Sequence, residues 1–151
     1  LTAIPKRGSI GPAFFSEPVK MRCSGGRMSA GNWTQVGALK FYSGGMRYAR
    51  RANAPEKSEY DRAVLDLGRV NATCEVVVNG RRAGVLMAPP FKIEVGDLLK
   101  AGENSLEVLV YSTLSNHYQT IPSAYRGRPE SGLLGPAKLL FYKEKAGGVK
   151  K

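Results

Sequence analysis

From Trp33 to Phe141 the chain alternates apolar and polar residues in short runs of period two, with turn residues between them. That period marks strands with one buried face. Val36–Ser43 is the first run, setting Leu39 and Phe41 against Lys40 and Tyr42. Gly44-Gly45 breaks it, Met46–Arg50 forms a second run around Tyr48, and residues 53–61 (NAPEKSEYD) read as a polar turn. Arg62–Leu67 puts Ala63, Leu65 and Leu67 on one face, and Cys74–Val78 follows. Asn79-Gly80 then predicts a hairpin, because both central residues of a type I′ turn need φ > 0. Arg81–Leu86 is the return strand; Phe91, Ile93 and Val95 share a face; Gly96–Lys100 predicts one helical turn. Leu106, Val108 and Val110 define the next strand, and Ala137, Leu139 and Phe141 the last. About eight short strands with no long helical period predict an all-β sandwich, a jelly roll ahead of an immunoglobulin-like arrangement.

Two stretches depart from this rhythm. Residues 1–30 carry Pro5, Pro12 and Pro18 with little periodicity, which predicts an extended lead-in or linker. The module then covers 31–146, with a Gly-Lys tail over 147–151. The second departure is Ser112–Gly132, a connection of roughly twenty residues, a length that compact domains keep for function or disorder. It holds Tyr118, Tyr125, His117 and two arginines, and so is too aromatic to read as disorder.

Composition changes the picture in few places. With 151 residues, 42% apolar and 23% charged, the chain is of ordinary globular make-up and forms one domain. No apolar run approaches the ~20 residues of a membrane span, so no membrane partner is expected. There is no initiator Met and no signal-peptide pattern in Leu1–Gly11, which suggests a piece of a longer protein and leaves the compartment open. A net charge of +11 raises an anionic partner as a possibility, such as an acidic polysaccharide or nucleic acid. The basic residues are dispersed singly and in pairs, which speaks against nucleic acid.

The chemistry-bearing residues exclude more than they include. His117 is the only histidine and has no nucleophile motif beside it, so a hydrogen-bonding role is expected. The 12 acidic residues sit at turns or on strand faces, and none marks the facing pair that glycoside hydrolysis requires. No metal or nucleotide motif is present, so no cofactor is expected; a structural calcium ion held by backbone carbonyls would leave no trace in sequence. Cys74 shares a face with Val76 and Val78, which reads as a buried thiol, while a disulfide to Cys23 stays open. Carbohydrate binding asks for aromatic faces and planar polar groups. Asn116, His117, Tyr118, Tyr125 and Arg126 supply these in one loop, and Trp33 is of the right kind too, although capping the core is the preferred reading for it.

The order GNW…YSGG…LDLGRV…CEVVVNGRRAG…APPFKIEV…LKAGENSLEVLV…SGLLGPAKL resembles the galactose-binding-like β-sandwich of multidomain glycoside hydrolases. It is similar to the sugar-binding domain of family-two β-glycosidases, and more so to the C-terminal sandwich of α-L-rhamnosidase-type enzymes. The resemblance implies a non-catalytic module that packs on a separate catalytic barrel and is exported to the periplasm or beyond. It implies that the loop after Val110 faces the substrate, with Asn116 and His117 nearest the strand end. Rhamnosidase-type sequences run Asn-Arg-Leu-Ile-Gly-Asp at this point, whereas this chain has Asn116-His117-Tyr118 and a longer loop. Three functions follow as expectations: a carbohydrate-binding accessory module, a purely structural domain docked on its parent barrel, and an independent polyanion or nucleic-acid binder.

Overall fold

A computed structural model describes residues 30–118 and 130–144. Within them nine strands form: β1 Gly45–Ala54, β2 Arg62–Asp66, β3 Arg69–Asn71, β4 Thr73–Val78, β5 Arg81–Leu86, β6 Lys92–Glu94, β7 Gly102–Tyr111, β8 Gly132–Gly135 and β9 Lys138–Tyr142. One turn of α-helix, α1, covers Ser115–Tyr118. The strands make a four-stranded sheet in the order β1-β7-β4-β5, a three-stranded sheet β6-β2-β9 and a short ladder β3-β8. All the ladders are antiparallel. The result is the all-β sandwich that the alternation predicts.

Alternation places the core. Leu106, Val108 and Val110 of β7 stand opposite Val78, Val76 and Cys74 of β4, and all six are buried. Ala63 and Leu65 of β2 face them from the other sheet, joined by Leu67, Phe91 and Val95. The sheets approach closely at Gly84, where a β-carbon would lie 2.9 Å from Ile93 Cδ1. The Asn79-Gly80 turn forms as expected, with φ of 50° and 75°. Asn79 also donates from Nδ2 to Leu98 O and to Oδ1 of the wholly buried Asn104. Asn104 returns bonds to Lys100 O and Gly102 O, so the two turns at this end of the sandwich are tied together.

Three expectations change. Val36–Ser43 is not a strand: a 3₁₀ turn, Gly37–Leu39, lies within it, directly after another at Trp33–Gln35. Its amides are satisfied locally, Leu39 N by Val36 O and Tyr42 N by Leu39 O, while β1 takes the place beside β7. That first strand is longer than its apolar pattern, running on to a buried Ala54. Finally, β3 and β8 were not anticipated, and β8 intervenes between the two strands flanking the long loop; its Gly-Leu-Leu-Gly sequence has no period-two signature. Apart from residue 30, the lead-in lies outside the described residues, as do Cys23, the tail and residues 119–129 of the loop.

Candidate functional site

The long loop leaves and re-enters the sandwich at one knot of hydrogen bonds. Asn116, buried in α1, donates from Nδ2 to Tyr42 O (3.1 Å) and to Ser131 Oγ (3.0 Å). Residues on the two sides of the loop therefore touch at its base. Trp33 joins the same knot, its Nε1 donating to Tyr42 O at 3.3 Å and its backbone N–H to Ser131 O at 3.0 Å. Asn32 completes it by accepting Thr34 N and Ser131 N on Oδ1. The Asn32 side chain caps the first 3₁₀ turn, the pattern expected of Asn at such a terminus. On the return side β3 holds Glu130: Arg69 pairs with its carboxylate at 3.2 Å, and Asn71 Nδ2 donates to its carbonyl.

The outgoing side is fastened as firmly. Ser112 N donates to Gly44 O at 3.0 Å, and Gly44 N to Ser112 Oγ at 3.1 Å. Ser115 N bonds Thr113 Oγ1, and His117 N bonds Ser43 Oγ at 3.2 Å. This scaffold turns aromatic side chains outward. Tyr118 is 44% exposed, with the His117 ring edge-on to it at 5.7 Å between centroids. Phe41, Tyr42 and Leu114 are exposed around the same end. Buried knot and exposed ring set together make a hydrogen-bonded rim carrying apolar faces, chemistry suited to C–H surfaces of sugars or to an apolar partner surface.

The sequence candidates separate accordingly. His117 and Tyr118 lie adjacent on the exposed rim. Asn116 is wholly buried and works by holding the loop base. Trp33 is also wholly buried, packing at 5.9 Å from the Tyr42 ring, so it offers support and no open ring face. Tyr125 and Arg126 lie outside the described residues. Sequence reading missed Asn32, Tyr42 and Ser131 as partners; only the Asn32-x-Thr34 cap carried a local signal. Cys74 is a buried free thiol whose pKa burial pushes up to about 11, so it is no nucleophile near neutral pH. Among the described residues no group of His, Cys, Asp and Glu is arranged to hold a metal ion.

No protein-family model matches the chain. Among curated proteins it is 34% identical over 89 residues to a protein of Formosa agariphila assigned as a beta-glucuronidase, covering 56% of this chain. Among solved structures, a rhamnosidase from Novosphingobium sp. PP1Y superposes with a TM-score of 0.64 at 28% identity over 73% of this chain. A protein of Bacteroides fragilis assigned as a beta-galactosidase gives 0.53 at 28% identity over 65% of the chain. A beta-D-mannosidase from Dictyoglomus thermophilum, at 21% identity and a TM-score of 0.55, shares the fold. The chain spans only 8% of the Formosa protein and 12%, 15% and 18% of the three structures. It thus resembles one sandwich domain of much longer glycoside hydrolases, as its sequence phrases indicate.

Proposed function

We propose that this galactose-binding-like sandwich is a non-catalytic accessory module of a large glycoside hydrolase, and that it binds plant-type or acidic polysaccharide at its loop end. The observation that carries the reading is the rim itself: exposed rings of Tyr42 and Tyr118 on a scaffold locked by Asn116 and Ser131. Rings held this way stack on sugar faces with little loss of conformational freedom. Tyr125 and Arg126 of the same loop would add a further ring and a planar donor. The name of the Formosa relative and the net charge of +11 support a uronate-bearing glycan. The acid and base of hydrolysis would belong to another domain, and export would follow the habit of such enzymes. A glycan array probed with the 151-residue chain tests this: retention of a plant-type or uronate-bearing glycan is expected, and a silent array contradicts it.

A second reading has its own observation. Met87 is 77% exposed and Leu114 58%, apolar tips of the kind that docking on a neighbouring domain covers. On that reading the module is structural, and Tyr125→Ala lowers the activity or stability of the whole enzyme without altering glycan affinity of the module. An independent polyanion binder has less support. Among the described residues seven basic side chains are already paired with carboxylates, which reduces the charge they offer to a polyanion.

A further inference from the structure

The outer face of the four-stranded sheet carries a feature that the loop end does not explain. Tyr111, Leu109 and Glu107 point outward from β7, since the alternate residues Val110 and Val108 are buried. On β1, Gly45 stands opposite Tyr111 and Arg47 opposite Leu109. On β4, Thr73, Glu75 and Val77 stand opposite Tyr111, Leu109 and Glu107. Arg47, Glu75, Val77, Glu107 and Leu109 line a shallow depression of about 160 Å³. Leu109 and Val77 form its apolar floor, and the charged side chains form its walls.

Gly45 explains how an aromatic ring lies beside it. A β-carbon at Gly45 would sit 3.1 Å from Cε1 and 3.3 Å from Cδ1 of Tyr111, and 3.7 Å from Leu109 Cδ1. The missing side chain leaves room for the Tyr111 ring to lie over β1 next to Leu109, and the residue remains 45% exposed. The walls are polar groups held in place: Arg82 Nε pairs with Glu75 Oε1 at 2.7 Å, and Arg47 Nη1 with Glu107 Oε2 at 3.5 Å. Two arginines and two glutamates leave this face without net charge.

We infer that this depression, with the Tyr111 ring at its edge, is a subsite for a single neutral pyranose ring. The inference rests on the proposed function for its ligand class, and adds a second place and a second specificity. An aromatic face takes the C–H side of a sugar, and paired guanidinium and carboxylate groups give planar donors and acceptors to its hydroxyls. The volume is below the ~300–1,000 Å³ of sites for drug-sized ligands, so one ring fits and an oligomer must run on across the surface. With both carboxylates and both guanidinium groups already paired, the face offers a uronate no unpaired cation and suits a neutral ring, in contrast to the basic balance of the whole chain. Because Ser112 follows Tyr111 directly, the subsite is continuous with the loop end, and one heteropolysaccharide chain can reach both.

The test is titration of the ¹⁵N-labelled 151-residue chain with cellotetraose, mannotetraose and galactotetraose, and with tetragalacturonate, following amide shifts. At least one neutral tetrasaccharide is expected to shift Gly45, Glu75, Leu109 and Tyr111. Tyr111→Ala is expected to weaken that binding about tenfold, Tyr111→Phe to retain it, and Val77→Glu, which fills the depression with a third carboxylate, to abolish it. Circular dichroism checks that each variant keeps its fold. Shifts confined to Tyr118 and the loop, with either sugar class, overturn the subsite and leave the proposed function standing. No shift with any saccharide overturns both. Concentration-dependent broadening on this face that Tyr111→Ala removes, without a sugar response, shows a protein contact and also overturns the subsite.

Discussion

Gly132 sits where the return of the loop meets the knot that anchors it. Its φ is +124°, and a β-carbon there would collide with Gly31 O and lie 2.7 Å from Tyr48 Oη. Tyr48 cannot yield freely, because its hydroxyl accepts Leu133 N. Gly132→Ala is therefore expected to cost about 2–4 kcal/mol in urea unfolding. At a surface glycine such as Gly80, with no atom within 4 Å of a built β-carbon, only the positive φ resists and the loss is smaller. Cys74 makes a second residue-scale expectation. Protonated and wholly enclosed, it resists alkylation at pH 8 in the folded chain and reacts after unfolding, as peptide mapping of labelled cysteines would show. A thiol that labels at the free-cysteine rate in buffer contradicts this burial.

Among the elements, β2 shows what alternation does and does not reveal. Ala63 and Leu65 fall inward as their spacing requires, yet Val64 is buried as well. It lies on the outer face between Leu140 of β9 and Glu94 of β6, in a row where Arg62 pairs with Glu94. Period two predicts which face a residue takes, whereas the cover over an outward valine depends on cross-strand neighbours, here Glu94 of β6 and Leu140 of β9, that lie far away in sequence. The same limit explains Val36–Ser43. Its alternation is genuine in sequence, but the edge beside β7 goes to β1, and the segment closes into local turns around Trp33. The hairpin at Asn79-Gly80 was legible because both requirements for that turn are local. Asp66, next along β2, gives a pH expectation. Lys92 donates to its carboxylate at 2.9 Å and Gly68 N does likewise at 2.9 Å, which hold its pKa below the ordinary value of 3.8. A lowered folded pKa adds stability above the unfolded value and loses it as pH falls through the folded one. The stability advantage over Asp66→Asn is thus expected to be full above about pH 5 and to vanish toward pH 2, read from urea midpoints across that range. A difference that does not change with pH contradicts the pairing.

For the molecule as a whole, sandwich and module type were legible, and the site only in part. Strand spacing, Asn79-Gly80 and the Gly102–Asn104 turn are scaffold signals, and each lies in a contiguous stretch of sequence. The knot beneath the loop joins Asn32, Trp33, Tyr42, Asn116 and Ser131, which are spread over a hundred positions and share no local pattern. Asn116 looked like a sugar contact because its amide suits hydroxyls; the same amide suits two buried acceptors, and burial decides between them. A fold alone names no activity, so the functional weight falls on the exposed rim. Calorimetric titration of the 151-residue chain with oligouronides and neutral oligosaccharides measures it most directly. Saturable binding is expected, weakened about tenfold by Tyr118→Ala or by Tyr125→Ala. Absence of heat with every saccharide, from a chain whose circular dichroism shows an intact sandwich, would contradict the carbohydrate-binding account.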